Sequence, residues 1–165
     1  SSTLTESRGL RTGDLGHLDE DGYLYITGRI KEQYKLENGK FVAPAPLEEE
    51  LKLSPYITQA MIYGLNQEHN VALIVADMEK VRQFADEKGL SVSNPELLQL
   101  SEIRELFKKE VQQFSTTFKN FERIEDFSLL DEEWNTDNGL LTPTMKIKRS
   151  VIEEKFKENI TSLYA

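Results

Sequence analysis

Ile57-Thr-Gln-Ala-Met-Ile-Tyr63 and Val71-Ala-Leu-Ile-Val-Ala76, joined through the polar stretch Asn66-Gln-Glu-His-Asn70, decide the class of fold. Both runs have strand length, and the second is apolar throughout, so it is expected to be covered on both faces. Downstream, Asp77 stands as an N-cap for a helix ending near Gly89, and Asn94-Pro95 opens another helical stretch. Ile103, Phe107, Val111, Phe114 and Phe118 recur at helical spacing and predict one long amphipathic helix over about 101–119, its aromatics in the core. Phe127-Ser-Leu-Leu130 predicts a third strand. Ser150 and Glu153 have the spacing of a capping box, and Ile152, Phe156, Ile160 and Leu163 form the apolar stripe of a last helix. This order implies an α+β domain, a small sheet of about three strands plus a short hairpin, covered by helices, from about residue 31 to the end.

Before that domain, residues 10–30 read as a separate hairpin. Asp19-Glu-Asp-Gly22 is its turn and Tyr23-Leu-Tyr-Ile-Thr27 has strand-forming side chains. Residues 33–43 predict a smaller hairpin around Glu37-Asn-Gly39. Pro44 and Pro46 break its second strand, and Pro46 is placed to start a short helix with Leu47 and Leu51 on its buried edge.

The totals exclude several classes of function. A net charge of -9 argues against a general nucleic-acid or anionic-membrane binder. The chain has no cysteine, so disulfides, thiolate zinc sites and a cysteine nucleophile are ruled out, and a reducing cytosol suits it. His17 and His69 are too few and too isolated for a metal site. The apolar run 71–76 is far too short to span a bilayer. The chain opens on Ser-Ser-Thr-Leu rather than Met, as expected of a piece of a longer protein. Against the acidic average, residues 29–40 carry Arg29, Lys31, Lys35 and Lys40 against Glu32 and Glu37, a local charge of +2, and Lys146, Lys148 and Arg149 form a second basic spot.

Three short blocks hold the residues with chemistry. In Arg11-Thr-Gly-Asp14, the carboxylate either accepts hydrogen bonds from two vicinal hydroxyls, as on ribose, or bonds backbone amides in a turn. In Gly28-Arg29-Ile30-Lys31-Glu32, Arg29 is either a phosphate or ribose clamp or a charge guarding a strand edge. In Leu141-Thr-Pro-Thr-Met-Lys-Ile-Lys-Arg149, Lys146 is either an ammonium that offsets transition-state charge or an ordinary exposed lysine. Neither basic spot contains a complete phosphate-binding loop.

Taken in order, the three blocks resemble the C-terminal part of the adenylate-forming enzymes, the superfamily of acyl-CoA synthetases, peptide-synthetase adenylation domains and beetle luciferases. The resemblance covers essentially the whole chain. Tyr34-Lys-Leu-Glu-Asn-Gly-Lys-Phe-Val-Ala-Pro44 and Leu141-Thr-Pro-Thr-Met-Lys146 look most like the long-chain fatty acyl-CoA synthetases. The resemblance implies that residues 1–30 are the tail of a large adenylation domain and 31–165 the mobile small domain. It implies that Asp14 holds the ATP ribose hydroxyls, that Arg29 contacts ribose and phosphate, and that Lys31 is the hinge. It assigns Lys146 to bridging carboxylate and α-phosphate during adenylation, and Lys35, with Gly39 nearby, to the second half-reaction. Leu10 departs from the usual aromatic before Arg-Thr-Gly-Asp. Met145 stands where peptide-synthetase adenylation domains usually have Gly.

The implied reaction joins a fatty acid to CoA with ATP. The phosphate loop, the magnesium-binding glutamate and the acyl tunnel belong upstream, so Mg2+ is expected through the large domain, and this piece alone is expected to be inactive. A cytoplasmic protein is implied, with peripheral membrane association left open. The alternatives are another adenylate-forming enzyme, such as an acyl-AMP ligase or an adenylation domain, and a self-contained binding module of the same fold.

Overall fold

The computed structural model describes residues 12–165. Arg11 and Leu10 lie outside the described residues, so the first block is seen from Thr12 onward.

The first hairpin pairs β1 (Asp14–Leu18) with β2 (Leu24–Arg29) antiparallel, with Asp14 opposite Arg29. Its turn is closed by the Asp19 carboxylate, which accepts the N–H groups of Asp21 and Tyr23. Those donors hold the Asp19 carboxyl below the usual carboxylate range, the Tyr23 N–H contributing most. A single 3-10 turn at Ile30–Glu32 follows, tied back to the hairpin by Ile30 N–H donating to Gly13 C=O at 2.9 Å.

The small hairpin, β3 (Tyr34–Lys35) with β4 (Phe41–Val42), turns at Gly39, whose φ of +83° is the left-handed region that a residue without Cβ enters freely. Helix α1 (Pro44–Leu51) begins two residues earlier than the sequence predicts. Pro44 and Pro46 both sit in its first turn, where backbone N–H groups have no helical acceptor, so neither proline is a breaker there.

The main sheet has the order β5-β6-β7, built from β5 (Ile57–Tyr63), β6 (Asn70–Ala76) and β7 (Ile124–Leu130). β6 is central, antiparallel to β5 and parallel to β7, and every residue in it is buried. Alternation along β6 feeds two separate cores. Ala72, Ile74 and Ala76 pack with α1 and with α2 (Met78–Glu87) and α4 (Ser101–Phe114), while Leu73 and Val75 pack with Met61, Trp134, Leu140 and Ile152. The expectation of a strand covered on both faces is met.

Asp77 caps α2 by accepting the Lys80 N–H, and Gly89 leaves the helix at φ +71°. The short α3 (Asn94–Leu97) opens with a reciprocal Ser93–Glu96 capping box. Two helix predictions need correction. The long helix expected over 101–119 stops at Phe114. Ser115-Thr116-Thr117 follows, a run whose side chains compete for backbone groups, and Phe118 reaches the core from a turn instead. At the end, the Ser150–Glu153 capping box does not form. Helix α5 (Arg149–Lys155) already contains Ser150, and Lys148 is its cap residue without a side-chain bond. The stripe is split at Phe156 (φ -107°, ψ 25°) into α5 and α6 (Lys157–Ser162), yet Ile152, Phe156 and Ile160 remain buried together.

The small hairpin docks on the sheet through one close approach. The Tyr34 hydroxyl donates to Asn70 Oδ1 at 2.5 Å, and Asn70 Nδ2 donates to Phe121 C=O at 2.9 Å. Burial, and next the Glu48 charge, push the Tyr34 phenol well above its ordinary value, so it is a proton donor at any working pH. A Cβ at Gly64 would stand 2.5 Å from Asn70 Oδ1 and 2.9 Å from both Leu36 Cδ2 and Tyr34 Cε2. Gly64→Ala is therefore expected to lower stability by about 1–3 kcal/mol, as an overpacked site does. Chemical denaturation checks this, and an unchanged midpoint would show that the hairpin yields freely.

Candidate functional site

Lys146 sits on a turn that the backbone closes on itself. Thr142 N–H donates to Lys146 C=O at 2.7 Å, Met145 N–H donates to Thr142 C=O at 2.8 Å, and Lys146 N–H donates to Thr142 Oγ1 at 3.1 Å. A β-bridge between Leu141 and Ile147 closes the base of the turn. Leu141 is buried and Ile147 half-buried, whereas residues 143–146 are exposed. The sequence thus builds an anchored base and a projecting tip, with the ammonium at the tip.

Beside it lies a cavity of about 620 Å³. Lys31 and Lys146, the predicted hinge and the predicted adenylation lysine, both line it, with Ile62 and Ile147 among its apolar groups. Of the carboxylates on its wall, Glu48 pairs with Arg149 and Glu49 with Lys52 at 2.7 Å, and Glu32 and Glu153 also line it. Burial raises the Glu153 carboxyl, and the nearby Arg149 charge partly offsets the rise. Tyr63, on the same wall, is raised by burial first and by Glu153 second.

The other predicted residues fall elsewhere. Asp14 and Arg29 face each other across the first hairpin, Arg29 Nε 3.2 Å from Asp14 Oδ1. This exposed pair adds little stability, but it puts a planar donor beside an acceptor, a combination suited to a diol or phosphate. Lys35 and Gly39 belong to the small hairpin, and neither lines the cavity. Among the described residues no cluster of three or more His, Asp or Glu side chains could hold a metal ion.

One element of the site was missed in the sequence. Glu48 is 5% exposed, and Arg149 grips it with both arms, Nη1 to Oε1 at 2.9 Å and Nη2 to Oε2 at 3.0 Å. Glu48 Oε1 also accepts the Ile62 N–H at 2.8 Å, and Arg149 Nη1 donates to Ile62 C=O at 3.1 Å. A signal was available. Pro44, Leu47, Glu48 and Leu51 follow the i, i+3, i+4, i+7 pattern of a buried helix face, so Glu48 occupies a core position.

A family model for the AMP-binding enzyme C-terminal domain matches residues 31–165. The chain belongs to that family. Among relatives of this AMP-binding enzyme C-terminal domain, the long-chain-fatty-acid–CoA ligase FadD15 of Mycobacterium tuberculosis is 38% identical over 156 residues, covering 93% of this chain and 26% of that protein. Human long-chain-fatty-acid–CoA ligase 1 is 30% identical over 168 residues, covering 100% of this chain and 24% of that protein. The chain thus spans about a quarter of the length of these relatives. Among solved structures, the adenylation domain of a carboxylate reductase from Mycobacterium chelonae superposes with a TM-score of 0.77 at 26% identity, over 98% of this chain and 24% of that one. The corresponding domain from Segniliparus rugosus, solved with AMP and a co-purified carboxylic acid, gives 0.77 at 21% identity, over 98% and 24%, and supports the fold alone. The α+β fold of this domain is that of the C-terminal part of such adenylation domains.

In this domain Met145 has φ +65°, a left-handed conformation that costs a residue with Cβ about 1–2 kcal/mol. Glycine, with no Cβ, enters this conformation without that cost. Because the Met145 side chain is 67% exposed, removing it loses little packing. Met145→Gly is expected to be neutral or to stabilise by up to about 1 kcal/mol, since greater freedom of the unfolded chain offsets part of the relieved strain. Met145→Val, β-branched at positive φ, is expected to destabilise by more than about 1 kcal/mol. Denaturation midpoints of the two variants check both signs.

Proposed function

We propose that residues 31–165 are the mobile small domain of a long-chain fatty acid–CoA ligase, and that 1–30 are the tail of its large adenylation domain. The observation that carries this reading is Lys146, carried on a self-closed turn at the wall of a cavity that Lys31 also lines. The identity to long-chain-fatty-acid–CoA ligases across nearly the whole chain supports the substrate class.

In the first step, a fatty acid carboxylate oxygen attacks the α-phosphorus of ATP and pyrophosphate leaves, giving the acyl-adenylate. The Lys146 ammonium lies across the carboxylate and α-phosphate and offsets charge that grows in the transition state. Asp14 accepts the ribose hydroxyls, and Arg29 contacts ribose and phosphate. The small domain then rotates about Lys31, which withdraws Lys146 and brings the face near Lys35 and Gly39 to the site. The CoA thiol loses its proton, its sulfur attacks the acyl carbonyl carbon, and AMP leaves. Mg2+ would be held through the large adenylation domain, where it would offset phosphate charge. Among the described residues no helix is long and apolar enough to cross a membrane. A cytoplasmic location belongs to this proposal, with peripheral membrane association left open.

The likeness to a carboxylate reductase adenylation domain favours, as a second reading, an adenylation enzyme that does not make a CoA thioester. CoA-dependent thioester formation by the full-length protein separates the two, and its absence would favour the second. Within the first reading, Lys146→Ala in the full-length protein is expected to abolish acid-dependent ATP–pyrophosphate exchange while largely sparing CoA transfer from supplied acyl-adenylate. Equal loss of both half-reactions would overturn the role given to Lys146. Lys31→Pro, which fixes φ at the pivot, is expected to spare adenylation and block CoA transfer. Normal transfer in that variant would remove Lys31 as the hinge. The isolated chain is expected to show neither half-reaction.

A further inference from the structure

Arg149 follows Lys146 by three residues and is the first residue of α5. Its guanidinium does not turn outward, as that of a helix-end arginine ordinarily does. It makes three hydrogen bonds, two to the Glu48 carboxylate and one to the Ile62 carbonyl, while Glu48 takes the Ile62 N–H. Both partners are held in place. Glu48 is on the buried face of α1, and Ile62 is on β5, the edge strand of the three-stranded sheet.

The Lys146 turn has few other polar ties to the body of the domain. The hydrogen bonds within residues 142–146 make it stiff but do not fix where it points. Its base is held on one side by buried Leu140 and Leu141 and on the other by half-buried Ile147, which bridges to Leu141, by the Lys148 N–H donating to Leu140 C=O at 2.9 Å, and by Arg149 beyond them. A stiff turn on two anchors transmits any movement of an anchor to its tip. We propose that Arg149, locked on Glu48 and the Ile62 backbone, is a positioning residue that sets the reach of the Lys146 ammonium during adenylation.

This inference rests on the function proposed above. Lysine in place of Arg149 keeps the charge but cannot form the planar two-armed pair while also donating to Ile62. A misplacement on the order of 1 Å of a catalytic group costs about 100-fold in rate.

In the full-length protein, Arg149→Lys is therefore expected to lower kcat for acid-dependent ATP–pyrophosphate exchange by about 100-fold, with KM for ATP and fatty acid unchanged. CoA transfer from supplied acyl-adenylate should stay within about threefold of the parent, because Lys146 is withdrawn in that step. Glu48→Gln, which keeps the shape of the partner and an acceptor for Ile62, is the second variant. It should show the same selective loss to a smaller degree, and it serves where Arg149→Lys fails to fold. Equal loss of both half-reactions alongside a lowered melting temperature would mean that the pair merely holds the fold, and would overturn the proposal. So would full exchange activity in both folded variants. Lys146→Ala, run in parallel, separates the two levels of the reading. If it spares exchange, the function proposed above falls and this inference with it. If it abolishes exchange while Arg149→Lys does not, this inference alone falls.

Discussion

The structure depends on a carboxylate and a guanidinium that complete an open strand edge. Among the described residues, β5 has β6 on one side and no strand on the other. At Ile62 the outward N–H and C=O are taken by Glu48 and Arg149, which supply one acceptor and one donor where a neighbouring strand would supply the same. Two residues of α1 and α5, 101 positions apart in the chain, thus substitute for a strand. Nearer the start of β5, the Gln59 amide exchanges two hydrogen bonds with the Trp134 backbone, at 2.7 and 2.8 Å. An edge closed in this way is poorly available for pairing with another chain.

An ion pair in such a place is not mainly a source of stability. Desolvating a carboxylate and a guanidinium costs several kcal/mol per ion, and a buried pair roughly recovers that cost only when its remaining hydrogen-bonding groups are satisfied. What the pair contributes is geometry. It joins α1, β5 and the start of α5 at one point, and that point lies on the wall of the cavity lined by Lys146. Stability comes instead from the two apolar clusters on either face of β6, where Ile74 and Leu73 are almost wholly buried on opposite sides.

Much of this was legible in the sequence, because local pattern and global environment agree. The apolar run of β6, the Asp77 cap and the Gly39 turn each follow from one residue's own chemistry. The helix ends were less legible. Phe118 has the right spacing for α4, yet core contact made from a turn leaves the same hydrophobic imprint as contact made from a helix. Ser150 and Glu153 have the right spacing for a cap, yet the helix already starts at Arg149, which pairs with Glu48 101 positions away. The site divided along the same line. Lys146 and Lys31 stand in short blocks that a resemblance could mark, and the structure brings both to one cavity. Glu48 stands in an ordinary acidic triplet, Glu48-Glu49-Glu50, and only its register with Leu47 and Leu51 sets it apart.

The parallel pairing of β6 with β7 carries a consequence for how the chain comes together. β5 and β6 are joined by a short turn and can pair early, but β7 begins 48 positions after β6 ends. That interval holds α2, α3 and α4, so the central strand must wait for three helices to form and close a long loop before its second edge is satisfied. During synthesis, α1, α2 and α4 are made before β7, so one face of the central strand can be covered while its second neighbour and the helices of its other face, α5 and α6, are still to come. The slow, exposed step in the assembly of this domain is therefore the arrival of β7 and the helices that follow it.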